Sequence, residues 1–329
     1  MGIKNVTALL LAGVALVSCG KQNNLSIEGV LVDSPAEKVY LQKFNNKQFL
    51  SIDSAVVKDG KFSFSKQVEI PEIYGLSLDP AKSSFLLFLD GNPVTIQLDS
   101  AKWYGNTTVS GSALHDKFAA YKQLEEVKID EFIKADPASL VSAYVLYRDF
   151  SYRLSPEEIK ANVALLDTSL LKTPYVAVLQ DLVAKLEKLS PGNKAPDFSS
   201  TDLQGNTVKL SDHFGKSYIL LDFWASWCGP CRRENPNIVA AYNEFKDKGF
   251  DIFAVSLDRD KSAWEKAVEK DNLTWTHVSD LKLWDSEAAN LYGVRAIPAN
   301  YLLDSEGKIV GKNLRGEDLL STLKDLYGK

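Results

Sequence analysis

The chain has 329 residues, and its 43 acidic and 38 basic side chains leave a formal charge of -5. That length allows two or three domains with real cores, while a negative balance without a long basic tract argues against nucleic acid as a partner. Three cysteines in so long a chain exclude a disulfide-scaffolded fold, so each is read on its own terms.

Residues 1–18 read as a targeting segment. Lys4 supplies a positive start, and Val6 to Val17 is an apolar run of signal-peptide length, too short to span a bilayer. The run ends in Leu16-Val17-Ser18-Cys19, which resembles a bacterial lipobox. The resemblance implies cleavage before Cys19 and acylation of that residue, a stable anchor when several chains are attached; the alternative is a plain cleaved signal with an incidental cysteine. Residues 19–24 then form a polar tether. From 25 to 110 the pattern is one of short strands: Lys61-Phe62-Ser63-Phe64-Ser65 alternates with period two after the turn signal Asp59-Gly60, and Lys38 to Phe44, Ser84 to Leu89 and Pro93 to Leu98 are further candidates. A small antiparallel sandwich or barrel fits. Trp103 and Tyr104 are expected to pack at its core or rim, with a docking patch as the alternative.

Residues 111–190 are expected to be helical. Ser155-Pro156-Glu157-Glu158 is a capping box with proline at the first helical position, opening an amphipathic run to Leu171. Pro174 starts a second helix with Val178, Leu182, Leu186 and Leu189 on one face. Tyr144, Tyr147, Phe150 and Tyr152 are expected to pack this bundle, and His115 to be a surface or cap residue.

Ser190-Pro191-Gly192-Asn193 breaks the helical pattern and opens the last region, 191–329. Phe198 to Leu210 reads as a hairpin around Gly205-Asn206. The strand-like Tyr218 to Trp224 leads into Trp227-Cys228-Gly229-Pro230-Cys231, which opens a helix over Arg232 to Lys248. Two cysteines three apart at a helix start lie one turn apart, close enough to bond and to exchange that bond with a substrate. Cys228 falls where free backbone N–H groups and the helix dipole favour a thiolate, which makes it the expected nucleophile. Cys231, deeper in the helix, is the expected resolving thiol, and Pro230 loses nothing by lacking an N–H in the first turn. Half a zinc site is the competing reading, but such a site needs about four ligands, and His115, His213 and His277 are not paired at ligand spacing. Phe250 to Leu257 fits a buried parallel strand, Ser262 to Lys270 and Asp285 to Tyr292 fit helices, Ala299 to Leu303 and Lys308 to Val310 a hairpin through Asp304-Ser305-Glu306-Gly307, and Glu317 to Tyr327 a closing helix.

The run Leu221 to Cys231, a proline in the following helix (Pro236) and Ile297-Pro298 before a strand together resemble the thioredoxin superfamily. The lead-in Asn193-Lys194-Ala195-Pro196-Asp197-Phe198 is similar to envelope-anchored oxidoreductases of the TlpA and ResA type, and residues 25–110 resemble the β-rich domain of unassigned function found ahead of such domains. The fold class this implies is an α/β thioredoxin fold, β-α-β-α-β-β-α with a helical insertion, preceded by a small antiparallel β domain and a helical segment. By the same resemblance, Asp222 assists proton transfer at the resolving thiol, Glu234 tunes both thiols, and Ile297 and a cis Pro298 present backbone to a substrate strand. A carboxylate among Leu and Phe would have its pKa raised, which suits Asp222; for Glu234 the alternative is a surface acid paired with Arg232 or Arg233. Gly229, Pro230 and Trp227, the last as an apolar lip beside Cys228, complete the expected substrate-binding surface.

The implied activity is reduction of protein disulfides in the cell envelope, facing the periplasm. Implied partners are disulfide-bearing envelope proteins such as apocytochrome c, a membrane thiol carrier as electron donor, and the membrane itself through Cys19. No cofactor and no metal are expected, since no glycine-rich nucleotide fingerprint is present. A peroxiredoxin-like peroxidase is one rival, although that family has Thr three residues before its reactive cysteine and this chain has Ala225. A redox-sensing binding or assembly protein is the other. His213 and His277 are expected to be structural or surface residues.

Overall fold

A computed structural model of the chain describes residues 22–328. The expected signal segment and Cys19 lie outside the described residues. The tether does not extend to residue 24, because a strand has already begun at Gln22 and pairs along its length with a later one. The described chain divides into two compact units, 22–45 with 49–122, and 46–48 with 123–328.

The first unit is built from β1 (Gln22–Val32), β2 (Lys38–Asn45), β3 (Gln48–Val56), β4 (Lys61–Glu69), β5 (Glu72–Ser77), β6 (Phe85–Leu89), β7 (Val94–Asp99) and β8 (Thr108–Ser110), followed by α1 (Ala113–Tyr121). They form two four-stranded sheets, β4-β1-β7-β8 and β3-β2-β5-β6. Period-two patterning places Phe62 and Phe64 of β4 and Val94, Ile96 and Leu98 of β7 on the inner face, where they meet Val39, Leu41, Tyr74, Leu76 and Leu87 of the other sheet in one core. A sandwich is therefore the form taken. Two expectations fail here. Trp103 is 85% exposed, carried outward by the left-handed backbone of Lys102 to Tyr104, and only Tyr104 packs, its hydroxyl accepting from Leu78 N. His115 is buried rather than superficial: its ring lies 5.5 Å from that of Phe85, its Nδ1 accepts from Phe88 N at 3.5 Å, and burial lowers its pKa.

The second unit opens with α2 (Ile129–Ala135), α3 (Leu140–Val145) running into a π turn over Leu146–Phe150, α4 (Pro156–Val163) and α5 (Pro174–Lys188). The capping box at Ser155 forms with both of its hydrogen bonds. The helix it opens ends at Val163 and does not reach Leu171, because Asp167 donates its N–H to Pro137 O and caps a separate short turn through Ser169 N. On α5 the buried stripe is Tyr175, Val176, Leu179, Leu182 and Val183, rotated from the expected face so that Val178 and Leu186 are only half-buried. Tyr144 and Tyr147 pack against Tyr175, with ring centroids 6.0 and 5.4 Å away; Phe150 is half-buried and Tyr152 faces solvent.

The rest of this unit is one seven-stranded sheet of β9 (Ser199–Asp202), β10 (Thr207–Lys209), β11 (Tyr218–Trp224), β12 (Phe250–Ser256), β13 (Thr276–Ser279), β14 (Ala299–Asp304) and β15 (Ile309–Lys312), in the order β10-β9-β13-β12-β11-β14-β15. Helices α6 (Gly229–Phe245), α7 (Lys261–Lys270), α8 (Glu287–Leu291) and α9 (Glu317–Tyr327) complete it. Central β11 runs parallel to β12 and antiparallel to β14, so its residues are covered on both faces and read as a continuous apolar run. This is the expected thioredoxin plan. Strand β13 was not anticipated: Thr-His-Val-Ser is short and polar, and only its pairing with Phe253 to Val255 and with Asp202 makes it a strand.

The β14–β15 hairpin turns on Asp304, whose Oδ1 accepts from Glu306 N and Lys308 N, and on Gly307 at φ +78°. A Cβ there would sit 2.4 Å from the Phe214 ring. Gly307→Ala is therefore expected to lower unfolding stability by about 1 to 3 kcal/mol. Urea unfolding measures this, and an unchanged midpoint would contradict the steric account.

Candidate active site

Strand β11 delivers the chain into the turn Ala225-Ser226-Trp227, and a carboxylate from the end of the neighbouring strand fixes that turn. Asp258 accepts from Ser226 N at 2.9 Å, from Ser226 Oγ at 2.5 Å and from Ser256 Oγ at 2.6 Å. Arg232 closes the other side, donating to Ser226 O at 3.1 Å while its guanidinium clasps Asp271. Burial alone would raise the Asp271 pKa, but hydrogen bonds from Arg232 and Asn235 outweigh it and hold the group below its ordinary value.

Cys228 is the N-cap of α6, and its Sγ accepts from Cys231 N at 3.1 Å. Gly229 and Pro230 form the first turn. Cys228 and Cys231 are joined in a disulfide with an S–S distance of 2.02 Å, and both are buried, at 4% and 1% exposure. An amide aimed at Cys228 sulfur from a helix start is the arrangement that favours a thiolate there once the bond is reduced. On the opposite side the Ile297-Pro298 peptide is cis, and Ile297 O lies 3.7 Å from Cys228 Sγ. Trp227 is half-exposed beside the pair, held by its Nε1 donating to Leu257 O and by an edge contact with Trp284 at 5.9 Å.

Asp222 lies in the middle of β11, paired in register with Ala254 and Asn300. It is 3% exposed, and its Oδ1 has no hydrogen-bond partner. Burial, reinforced by the Glu234 carboxylate and opposed by Arg315, pushes its pKa up to about 7. No lysine stands on the facing strand near Phe253 and Ala254 to hold it ionised. Glu234 is not paired with Arg232 or Arg233: its Oε1 accepts from Gly316 N at 2.7 Å and its Oε2 from Asn237 Nδ2 at 3.1 Å. The acid thus ties α6 to the start of α9 and bears electrostatically on Asp222.

The other histidines are structural. His213 pairs with Asp251 at 2.8 Å, and His277 is buried between Trp224 and Trp275, where desolvation pushes its pKa down to about 3. Three residues that hold the site were not singled out from sequence: Asp258, Asp271 and Arg315. Asp258 follows the last residue of an apolar strand run, a position from which a carboxylate can reach the neighbouring strand's exit loop; nothing local marks the other two.

A seven-stranded thioredoxin sheet carrying a Cys-Gly-Pro-Cys disulfide at a helix start defines a thiol-disulfide oxidoreductase. Comparison with known sequences agrees. Residues 191–312 match the AhpC/TSA family, and residues 25–118 match a domain of unknown function, DUF4369. The thiol-disulfide oxidoreductase ResA of Bacillus cereus is 33% identical over 150 residues, 46% of this chain and 84% of that protein. The ResA of Geobacillus kaustophilus is 38% identical over 118 residues, 36% of this chain and 66% of that protein. Among solved structures, the thioredoxin domain of a thiol-disulfide oxidoreductase from Bacteroides vulgatus is 43% identical, with a TM-score of 0.39, over 42% of this chain and 97% of that domain. The chain belongs to the ResA family of thiol-disulfide oxidoreductases.

The environment of Asp222 gives its pH dependence a sign. Between its ordinary value of 3.8 and about 7 the unfolded chain has released a proton that the folded chain keeps, so stability falls as pH rises through that window and levels off above it. Asp222→Asn removes the penalty and is expected to stabilise the protein by about 2 to 4 kcal/mol more at about pH 8 than at about pH 4. Denaturant melts at the two pH values measure the difference; an equal effect at both would mean that Asp222 ionises normally.

Proposed function

We propose that this protein reduces protein disulfides in the cell envelope through Cys228 and Cys231. The observation that carries the reading is the Cys228 sulfur held between the Cys231 amide and the Ile297 carbonyl, with a proton-accepting carboxyl buried in the adjoining strand. In the reduced protein Cys228 attacks a substrate sulfur, the other substrate sulfur leaves as a thiolate, and a mixed disulfide forms. Cys231 then loses its proton toward Asp222 and attacks the Cys228 sulfur. The substrate departs with both sulfurs reduced, and the protein is left with the Cys228–Cys231 bond. A group titrating near 7 suits both taking up and returning that proton.

Trp227, Gly229, Pro230, Ile297 and Pro298 form the surface on which the substrate strand lies, and Glu234 sets the local potential felt by Asp222 and the thiols. Anchoring through an acylated Cys19 would leave Cys228 and Cys231 as the only thiols free to exchange. Recharging falls to a membrane thiol carrier, and disulfide-bearing envelope proteins, apocytochrome c among them, are the clients. Gly229-Pro230 with Ile297 before the proline resembles the combination in reducing thioredoxins, which supports reduction over oxidation. A dithiol potential nearer the roughly -270 mV of thioredoxin than the roughly -120 mV of DsbA is expected, and a value at the oxidising end would reverse the direction.

The mechanism is tested by trapping. Full-length Cys231→Ser mixed with a disulfide protein is expected to accumulate a covalent adduct on non-reducing gels, whereas Cys228→Ser forms none. Adduct formation by Cys228→Ser would exchange the assigned roles. One further reading is a peroxiredoxin-like peroxidase, a family that shares the thioredoxin fold. Peroxide consumption that matches disulfide reduction in rate and disappears in Cys228→Ser would establish that activity; Ala225 in place of Thr weighs against it.

A further inference from the structure

We propose that a basic cavity beside the Pro298 loop receives an acidic side chain of the substrate polypeptide, so that the protein prefers disulfides flanked by Asp or Glu. The inference rests on the reductase reading and names the class of substrate it selects. The cavity measures about 330 Å³ and lies wholly within the second unit, between the turn that precedes α4 and the loops that flank β14. Arg153, Arg295, Lys312 and Arg315 all line it, and Pro298 forms part of its wall. Glu158 is the one acid on the wall, and its Oε2 is engaged in the capping box by Ser155 N.

Four cations around one cavity repel each other, and in most proteins carboxylates interleave to neutralise such a group. Here Glu158 is the single carboxylate among them, and among the described residues no direct ion pair to a carboxylate is made by Arg153, Arg295, Lys312 or Arg315. Arg153 donates to Asp149 O and to the Tyr152 hydroxyl, and Arg315 to Pro298 O. Arg295 donates through Nη1 to Asn46 and stacks on Tyr147, while its buried Nε and Nη2 have no partner at all. Four cations against one carboxylate leave the wall with an excess of positive charge. Arg295 supplies field from within the wall, and the exposed Arg153, Lys312 and Arg315 can touch a ligand directly.

The position selects the ligand. Pro298 belongs both to the cavity wall and to the peptide whose Ile297 carbonyl faces Cys228 sulfur. A polypeptide whose disulfide reaches Cys228 therefore passes beside the cavity and can place a flanking side chain in it. A polypeptide brings its anions there as carboxylates, which fit guanidinium groups in a bidentate manner. The net charge of the whole chain, -5, predicts the opposite preference, because it repels acidic substrates. The sign of the effect thus separates the cavity from the general field.

The test uses the full reduced protein and two synthetic peptides, each with one intramolecular disulfide and differing only in Glu or Gln beside the cysteines. At low ionic strength the Glu peptide is expected to show a kcat/KM about tenfold higher, with the ratio falling toward one as salt is added. The ratio should approach one in Arg153→Gln/Lys312→Gln and drop below one in Arg153→Glu/Lys312→Glu. Equal rates for the two peptides, a faster Gln peptide, or a ratio that these variants leave unmoved would overturn the cavity assignment while the reductase reading stands. Failure to reduce either peptide would sink both. The salt series on the unaltered protein needs no variant to fold.

Discussion

The chemistry depends on how the first turn of α6 holds one sulfur. Cys228 occupies the N-cap, where the Cys231 amide has no helical carbonyl to satisfy it and points at Cys228 Sγ instead. Thiolate stabilisation by such an amide works only if the sulfur cannot rotate away. The hydrogen bonds that pin Ser226 to Asp258 and the Arg232–Asp271 clasp on the same turn supply that rigidity, and the Ile297 carbonyl bounds the sulfur from the other side. The helix start provides the electrostatics and the carboxylate network holds it in place.

A buried acid beside such a pair is costly, and the strand that carries it explains why it persists. Asp222 takes the place of an apolar residue in β11, between Leu221 and Phe223, so its carboxyl keeps its proton up to about pH 7 and is only partly ionised near neutrality. Glu234 raises that proton affinity and Arg315 lowers it. Both also make backbone contacts that join the start of α9 and the Pro298 loop to the site.

The helical segment ahead of the thioredoxin sheet has a place in this arrangement. It contributes Arg153 and Glu158 to a cavity whose remaining wall comes from the loops around β14. A charged wall next to the surface where a substrate strand would lie is a way to select among substrates by charge without altering the reacting sulfurs.

The order of the elements, the redox pair, the capping box at Ser155 and the buried carboxyl of Asp222 were all legible in the sequence, because each is set by local chemistry: a periodicity, a turn signal, a helix start, or a charge embedded in an apolar run. The rest required residues distant in the chain to meet. Strand β13 exists only through its neighbours, and α4 stops early because Asp167 finds Pro137. Trp103 is exposed because a left-handed backbone run turns it away from the sandwich. Glu234 carries no local mark that its partner is Gly316 rather than Arg232 or Arg233, and Asp258 and Arg315 look like ordinary surface charges until the sheet brings them to the redox pair. Sequence alone determined which atoms react, since a thiol's reactivity follows from its own helix start; tertiary structure decided which charges surround them, since Coulomb interactions act through space and take no account of order along the chain.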